Sequence, residues 1–174
     1  IEALAGIINE SETIFYEDDA FGELAFDRRS RTPIKKLAPE HTVMSGSFSK
    51  IVAPGLRLGW IFAPEEIIQE FDTAKQAADL HSNYLSQKVM NRYMEISDID
   101  LMIDRVAVHN GNNCKLMCDL VDDLLPGVSR TDPEGGMFLW LTLPEKISSN
   151  KLFRSGLDYG VAVLPGVPFY TGGG

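Results

Sequence analysis

The sequence predicts an α/β protein: a sheet with a crevice at its strand ends, followed by a small α+β domain. Three observations predict it. Short apolar, β-prone runs at residues 13–16, 42–45 and 58–63 are separated by connections too long for simple hairpins between the first two. The first two runs lead straight into chemistry-bearing residues, Glu17, Asp18 and Asp19 after one and Gly46, Ser47, Phe48, Ser49 and Lys50 after the other. Residues at the C-terminal ends of strands line the ligand crevice of open α/β sheets. From Glu65 onward apolar residues recur at helical spacing, and strand-like alternation returns only after Gly135 and Gly136.

The elements follow in order. Ile1, Leu4, Ile7 and Ile8 have helical spacing, so residues 1–9 read as the tail of an amphipathic helix, with polar residues 10–12 leading into the first strand. The connection through Pro39 is rich in proline and charge. Its basic residues Arg28, Arg29, Arg31, Lys35 and Lys36 are interrupted by Pro33 and read as a solvated loop. The second and third strands flank a turn at Pro54 and Gly55. Ile67, Ile68, Phe71, Ala74 and Ala78 mark a helix, a second covers 86–94, and a third covers 98–125. In that third helix Ile103, Val106, Cys114, Met117, Val121 and Leu124 form a core stripe, and Pro126 and Gly127 stop it. A strand at 137–143, a helix at 151–158 ending at Gly160, and a strand at 161–164 complete the small domain. The chain starts at Ile1 and stops in Gly172, Gly173 and Gly174, so both ends read as cuts through a larger protein.

Composition narrows the classes. With 44% hydrophobic and 24% charged residues the chain is an ordinary globular sequence. A net charge of −9 disfavours nucleic acid, which needs a clustered Lys/Arg footprint. No stretch approaches the ~18 apolar residues of a membrane span and no signal-peptide pattern opens the chain, so a cytoplasmic protein is expected. The two cysteines, Cys114 and Cys118, are spaced for one helix face and read as buried thiols in a reducing compartment. Without a second pair of ligands they predict no metal site.

The segment "SGSFSKIVAPGLRLGW" offers three serine hydroxyls, a lysine, amides freed by glycine, and an arginine seven positions past the lysine. Hydroxyls and a forked guanidinium bind a phosphate through charge-assisted hydrogen bonds, and a lysine beside them can attack a carbonyl. A Ser-x-Ser-Lys string alone is common loop material.

The longer string resembles the cofactor-lysine motif of class I/II aminotransferases, particularly the aminoadipate, kynurenine and aromatic amino-acid transaminases. The resemblance implies the type I fold of pyridoxal-phosphate transferases, with 1–87 as the C-terminal part of the large cofactor-binding domain and 88–174 as a small domain cut before its end. It makes Lys50 the Schiff-base lysine for pyridoxal 5'-phosphate, Ser47 and Arg57 phosphate ligands, and Ser49 a further one. "YEDDAFGELAF" resembles the family's Asp-x-x-Tyr segment, which assigns Asp18 to the pyridine nitrogen and leaves Asp19 as its neighbour. A carboxylate there keeps the ring protonated and makes it an electron sink. Phe21 stands where the family has Tyr and cannot donate to the ring oxygen, so the ring's electronics should differ. Ala20 in place of Pro is a milder departure.

Three further strings are similar to family segments. "DLHSNYLSQ" resembles the junction between the domains, where Asn83 and Tyr84 would pack or face a partner's site. "PEGGMFLWLTLP" resembles a small-domain strand in which Gly135 and Gly136 permit close backbone approach and residues 137–140 pack or line the pocket. "GVAVLPGVPFY" resembles a later strand and turn. The resemblance implies an enzyme that moves an amino group between an α-amino acid and a 2-oxo acid, as a homodimer. The family's glycine-containing phosphate loop, stacking aromatic, ring-oxygen Asn and substrate-carboxylate arginine are not in this stretch, which is therefore expected not to transaminate alone. The alternatives are a β-lyase or synthase of the same fold, the cofactor-binding effector domain of a winged-helix transcription regulator, and a remnant that binds no cofactor.

Overall fold

Register explains how the sheet carries its acids. In the computed structural model, which describes residues 1–11, 13–29 and 31–171, strand β1 (Phe15–Asp18) runs parallel to β2 (Thr42–Ser47). Glu12 of the first connection and the terminal Gly172, Gly173 and Gly174 lie outside the described residues. β1 starts later than the apolar run suggests and takes in Glu17 and Asp18, because Glu17 sits opposite Met44, Asp18 opposite Ser45, and the Asp19 N–H donates to the Ser45 carbonyl at 2.9 Å. β2 continues to Ser47 because β3 (Gly59–Phe62) pairs with it antiparallel, Ser47 opposite Gly59.

Strand alternation divides the sheet into two faces. Phe15 and Glu17 point to the face covered by helices α1 (Glu2–Glu10) and α2 (Ile34–Leu37). There Ile8, Ile34 and Ala38 form a buried cluster with Phe15 against it, and the Glu17 carboxylate accepts the N–H groups of Ile34 at 2.9 Å and Lys35 at 3.0 Å. Those are two of the donors that a helix start leaves without internal partners.

The basic connection is not merely a solvated loop. Lys35 is only 6% exposed; its Nζ donates to the carbonyls of Pro39 at 2.5 Å and Thr42 at 2.9 Å, with the Phe62 ring centroid 5.1 Å away. Burial pushes its amine below the usual lysine range, against a smaller upward pull from Glu40. Arg28 pairs with Asp104, and Arg31 with Asp27 at 3.3 Å and Glu134 at 3.6 Å. A charge run cannot reveal partners such as Asp104 and Glu134, because they lie far away in sequence.

A second buried cluster joins Leu24, Ile51 and Ile103, with Phe48, Val52, Ile99 and Val106 packed against it. Helices α3 (Glu65–Ala78), α4 (Tyr84–Ile96) and α5 (Ile99–Leu124) follow. The α3 stripe is present but uncovered: none of its residues is buried, and Phe71 is exposed. In α5 burial selects Ile103, Ala107, Cys118 and Val121, while Met117 and Leu124 are exposed on the flank of that stripe. Cys114 and Cys118 do share a face, with sulfurs 4.0 Å apart, and burial, reinforced by Cys118, raises the Cys114 thiol. Asn83 caps α4, its Oδ1 accepting the Ser86 N–H at 2.9 Å, whereas the Tyr84 ring is exposed. Replacing Asn83 by alanine is expected to destabilise by about 1 kcal/mol, read from the denaturant midpoint of the intact protein.

Contacts group the described chain into two compact units, Ile1–Asn112 with Glu134–Met137, and Asn113–Pro133 with Phe138–Gly174. In the first, Gly135 bridges to Ala25 and the Gly136 N–H donates to the Leu24 carbonyl at 3.0 Å; a Cβ on Gly135 would lie 2.9 Å from that carbonyl oxygen. In the second, β4 (Ser129–Arg130) pairs antiparallel with β5 (Leu141–Thr142), and α6 (Ser149–Asp158) follows. The strand expected at 137–143 is thus reduced to Leu141 and Thr142, since the strand opposite offers only two residues. Residues 161–164 form no strand; the Val161 N–H turns back to the Gly156 carbonyl at 2.9 Å, and no strand among the described residues pairs with them. Trp140 packs edge-on against Phe169, centroids 5.8 Å apart, and against Tyr170. Among the described residues, no helix is long and apolar enough to cross a membrane.

Candidate active site

Because β1 and β2 are parallel, their C-terminal ends share one edge of the sheet, and antiparallel β3 starts from that same edge. Asp18, Ser47 and the approach to β3 are thereby brought together from three chain segments. The turn after β2 is tight: Val52 and Ala53 both donate to the Phe48 carbonyl, at 2.9 and 3.1 Å. Phe48, Ile51 and Val52 face the Leu24 cluster and so anchor the turn that carries Ser49 and Lys50, both half-buried.

Arg57 enters through backbone geometry. It ends the single 3-10 turn Pro54–Leu56 in the left-handed region, φ 54° and ψ 43°, a conformation that costs an L-residue about 1 kcal/mol. The next residue, Leu58, accepts the Phe48 N–H at 3.2 Å, so Arg57 stands just beyond the last pairing of β2 with β3. Gly59 is required there, because a Cβ would sit 2.8 Å from the Gly46 carbonyl oxygen. A Cβ at Gly46 would in turn overlap the Trp60 indole, which lies across that strand.

The polar groups at this edge have few partners. The Lys50 Nζ lies 5.7 Å from the Phe21 ring centroid and has no hydrogen bond or ion pair among the described residues. The Arg57 guanidinium makes one bond, to the Pro54 carbonyl at 3.2 Å, and meets no carboxylate among the described residues. Ser47 Oγ accepts the Ser49 N–H at 3.1 Å and keeps its own proton to donate. Among the described residues the Asp18 carboxylate engages Ser45 alone, whose Oγ lies 3.4 Å from Oδ1. Lys50 and Arg57 are thus two cations at one sheet edge, beside serine hydroxyls and without an acidic partner among the described residues, a combination suited to an anion. A shallow depression along α5, lined by Asp104, Arg105, Val108, His109 and Asn112, contains none of these residues.

A sequence model of the aminotransferase class I and II family matches residues 1–173. The chain belongs to this family. Aromatic-amino-acid aminotransferase 1 of Thermococcus litoralis is 36% identical over 170 residues, which cover 97% of this chain and 41% of that protein. The crystal structure of α-aminoadipate aminotransferase from Thermus thermophilus, complexed with N-(5'-phosphopyridoxyl)-L-leucine, superposes with a TM-score of 0.90 at 34% identity, over 99% of this chain and 46% of that one. An uncharacterized HTH-type transcriptional regulator of Bacillus subtilis is 28% identical over 93% of this chain and 34% of its own length. The chain therefore spans less than half the length of these relatives, and its fold is the matching portion of the type I fold of pyridoxal-phosphate transferases.

For a member of this aminotransferase family, the donor set fits a phosphorylated aldehyde. Free serine hydroxyls and a guanidinium suit the phosphate, a free amine suits the carbonyl, and an open carboxylate oxygen suits a cationic ring N–H. Two side chains at this edge escaped the sequence reading. Tyr16 and Ser45 meet at 2.7 Å beside Asp18. Alternation along β1 signals that residues 16 and 18 share a face, but Ser45 enters only through the strand register.

Proposed function

We propose that this chain is part of a pyridoxal-phosphate-dependent aminotransferase that moves an amino group between an α-amino acid and a 2-oxo acid. The observation that carries it is the Lys50 amine, without a hydrogen bond or ion pair among the described residues, in the turn after β2 and at the same sheet edge as Asp18 and Arg57, in a chain of this family. Ser47, Ser49 and Arg57 would hold the phosphate, Asp18 the ring nitrogen, and Lys50 the carbonyl carbon. When bound, pyridoxal phosphate supplies an electron sink that acidifies the α-proton of an amino acid. With its Nζ free, Lys50 would accept that proton and hand it on, which is general acid–base work by one side chain. Phe21 presents a hydrocarbon ring beside the amine and donates nothing, so the ring oxygen has to find its donor elsewhere.

Residues 1–87 would complete a large domain and 88–174 a small one. Exposed Phe71, Leu85, Val89 and Ile96 support burial of α3 and α4 against further protein, as in a homodimer. The free thiols Cys114 and Cys118 suit the cytoplasm. The aminotransferase reading is favoured over the regulator because the relatives named as aminotransferases are the more similar ones. The test is chemical. Intact protein incubated with pyridoxal phosphate, reduced with borohydride, digested and weighed should carry one pyridoxyl group, on Lys50. Colourless protein with unmodified Lys50 would refute the reading.

A further inference from the structure

Asp18 is not a bare carboxylate at the end of a strand. It lies opposite Ser45 in the parallel register, and Tyr16, two residues earlier on β1, projects from the same face. The Tyr16 hydroxyl is 2.7 Å from Ser45 Oγ, and Ser45 Oγ is 3.4 Å from Asp18 Oδ1. Donor and acceptor inventory fixes the direction of both bonds. The carboxylate only accepts, so the single Ser45 proton goes to Asp18; the Ser45 oxygen must then accept, and Tyr16 donates. Phenol, hydroxyl and carboxylate form a chain in which each bond polarises the next.

We propose that Tyr16 and Ser45 are positioning residues: a hydrogen-bond relay across β1 and β2 that fixes the Asp18 carboxylate to receive the cationic ring nitrogen of the cofactor. The inference rests on the pyridoxal-phosphate reading above. The relay engages Oδ1 and leaves Oδ2 without a partner among the described residues, so rotation of the carboxylate is restrained while one oxygen stays open to a ligand. The Ser45–Asp18 bond is long, and catalytic hydrogen bonds of ligand-free sites shorten when the ligand binds. Neither hydroxyl is needed to hold the sheet. Tyr16 is 58% exposed, and among the described residues the Ser45 side chain bonds to Tyr16 and Asp18 alone. Ladder bonds between backbones, with the cluster on the opposite face, already pair β1 with β2.

The test uses intact protein stripped of cofactor and titrated with pyridoxal phosphate by absorbance, as wild type, Tyr16→Phe, Ser45→Ala, Ser45→Thr and the Tyr16→Phe/Ser45→Ala double variant. Loss of a hydrogen bond to a charged group predicts about tenfold weaker binding for Ser45→Ala, and loss of the outer bond about threefold for Tyr16→Phe. Ser45→Thr keeps the hydroxyl and should bind like wild type. The double variant should be no weaker than Ser45→Ala, because Tyr16 acts only through Ser45. The absorption band of the bound cofactor, measured at one pH, should shift in Tyr16→Phe and Ser45→Ala and stay in place in Ser45→Thr. Wild-type affinity and spectrum in Tyr16→Phe, or additive losses in the double variant, would overturn the relay. Tyr16→Phe retains the ring, so it decides the matter even if Ser45→Ala does not fold. A wild-type protein that binds no pyridoxal phosphate and takes no label on Lys50 defeats the functional reading itself; one that binds it while the variants are indifferent defeats the relay alone.

Discussion

Lys50→Ala in the intact protein is expected to remove covalent capture of pyridoxal phosphate altogether and to lower turnover by at least about a thousandfold. Both effects follow from one side chain, because the same Nζ is the group that would join the carbonyl and the base that would move the α-proton. The fold should not suffer. Lys50 is half-buried, makes no hydrogen bond or ion pair among the described residues, and only faces the Phe21 ring. The variant should therefore denature at the wild-type midpoint and retain reversible binding through Ser47, Ser49 and Arg57, yet yield no pyridoxyl peptide after borohydride reduction. Turnover within tenfold of wild type would remove Lys50 from the chemistry.

Leu24→Ala is expected to be the most damaging change to stability, about 2–5 kcal/mol, measured by denaturant unfolding of the intact protein. Leu24 is 0% exposed and packs with Ile51 and Ile103. Its own backbone is held on both sides, the N–H donating to the Phe21 carbonyl at 2.9 Å and the carbonyl accepting from Gly136 at 3.0 Å. The surroundings are thus poorly able to collapse into the space a leucine leaves. The effect should reach the site, because Ile51 follows Lys50 directly and Phe21 is tied to Leu24. Cofactor affinity should fall together with stability, whereas Lys50→Ala separates the two. A loss below about 1 kcal/mol would show that this cluster does not anchor the turn.

Much of the site is legible in the sequence because its parts are close in the chain. Ser47, Ser49 and Lys50 occupy one tight turn, and Arg57 comes after one further short turn. Proline at 54 opens that second turn, a local preference that residue type alone announces, whereas Gly46 and Gly59 are needed for the close approach of β2 and β3. Helix positions were equally local: hydrophobic spacing finds α1, α3, α4, α5 and α6 to within a few residues. What spacing does not give is cover. The stripe of α3 has helical period and yet nothing buried, and in α5 the expected Ile103 and Val121 are buried with Ala107 and Cys118, while Met117 and Leu124 of the expected stripe are exposed.

Strand ends and charged residues depended on partners. The runs at 137–143 and 161–164 have strand-like composition, but a strand exists only where another offers its N–H and C=O groups, and the opposing segment forms a ladder with Leu141 and Thr142 and one further backbone bond, from Thr131 to Trp140. Lys35 sits in a basic run and is buried all the same, because the carbonyls of Pro39 and Thr42 receive its protons.

By itself the sequence determined the family, the string that carries Ser47, Ser49, Lys50 and Arg57, and most helices, since these follow from residue type and spacing within a few positions. Only the tertiary structure decided that Ser45 meets both Asp18 and Tyr16, that Phe21 lies beside Lys50, and that Leu24 supports the turn from below. Those meetings join residues that lie roughly 20–80 positions apart in the chain. Their occurrence depends on register and packing summed over the whole sheet, which no local pattern encodes.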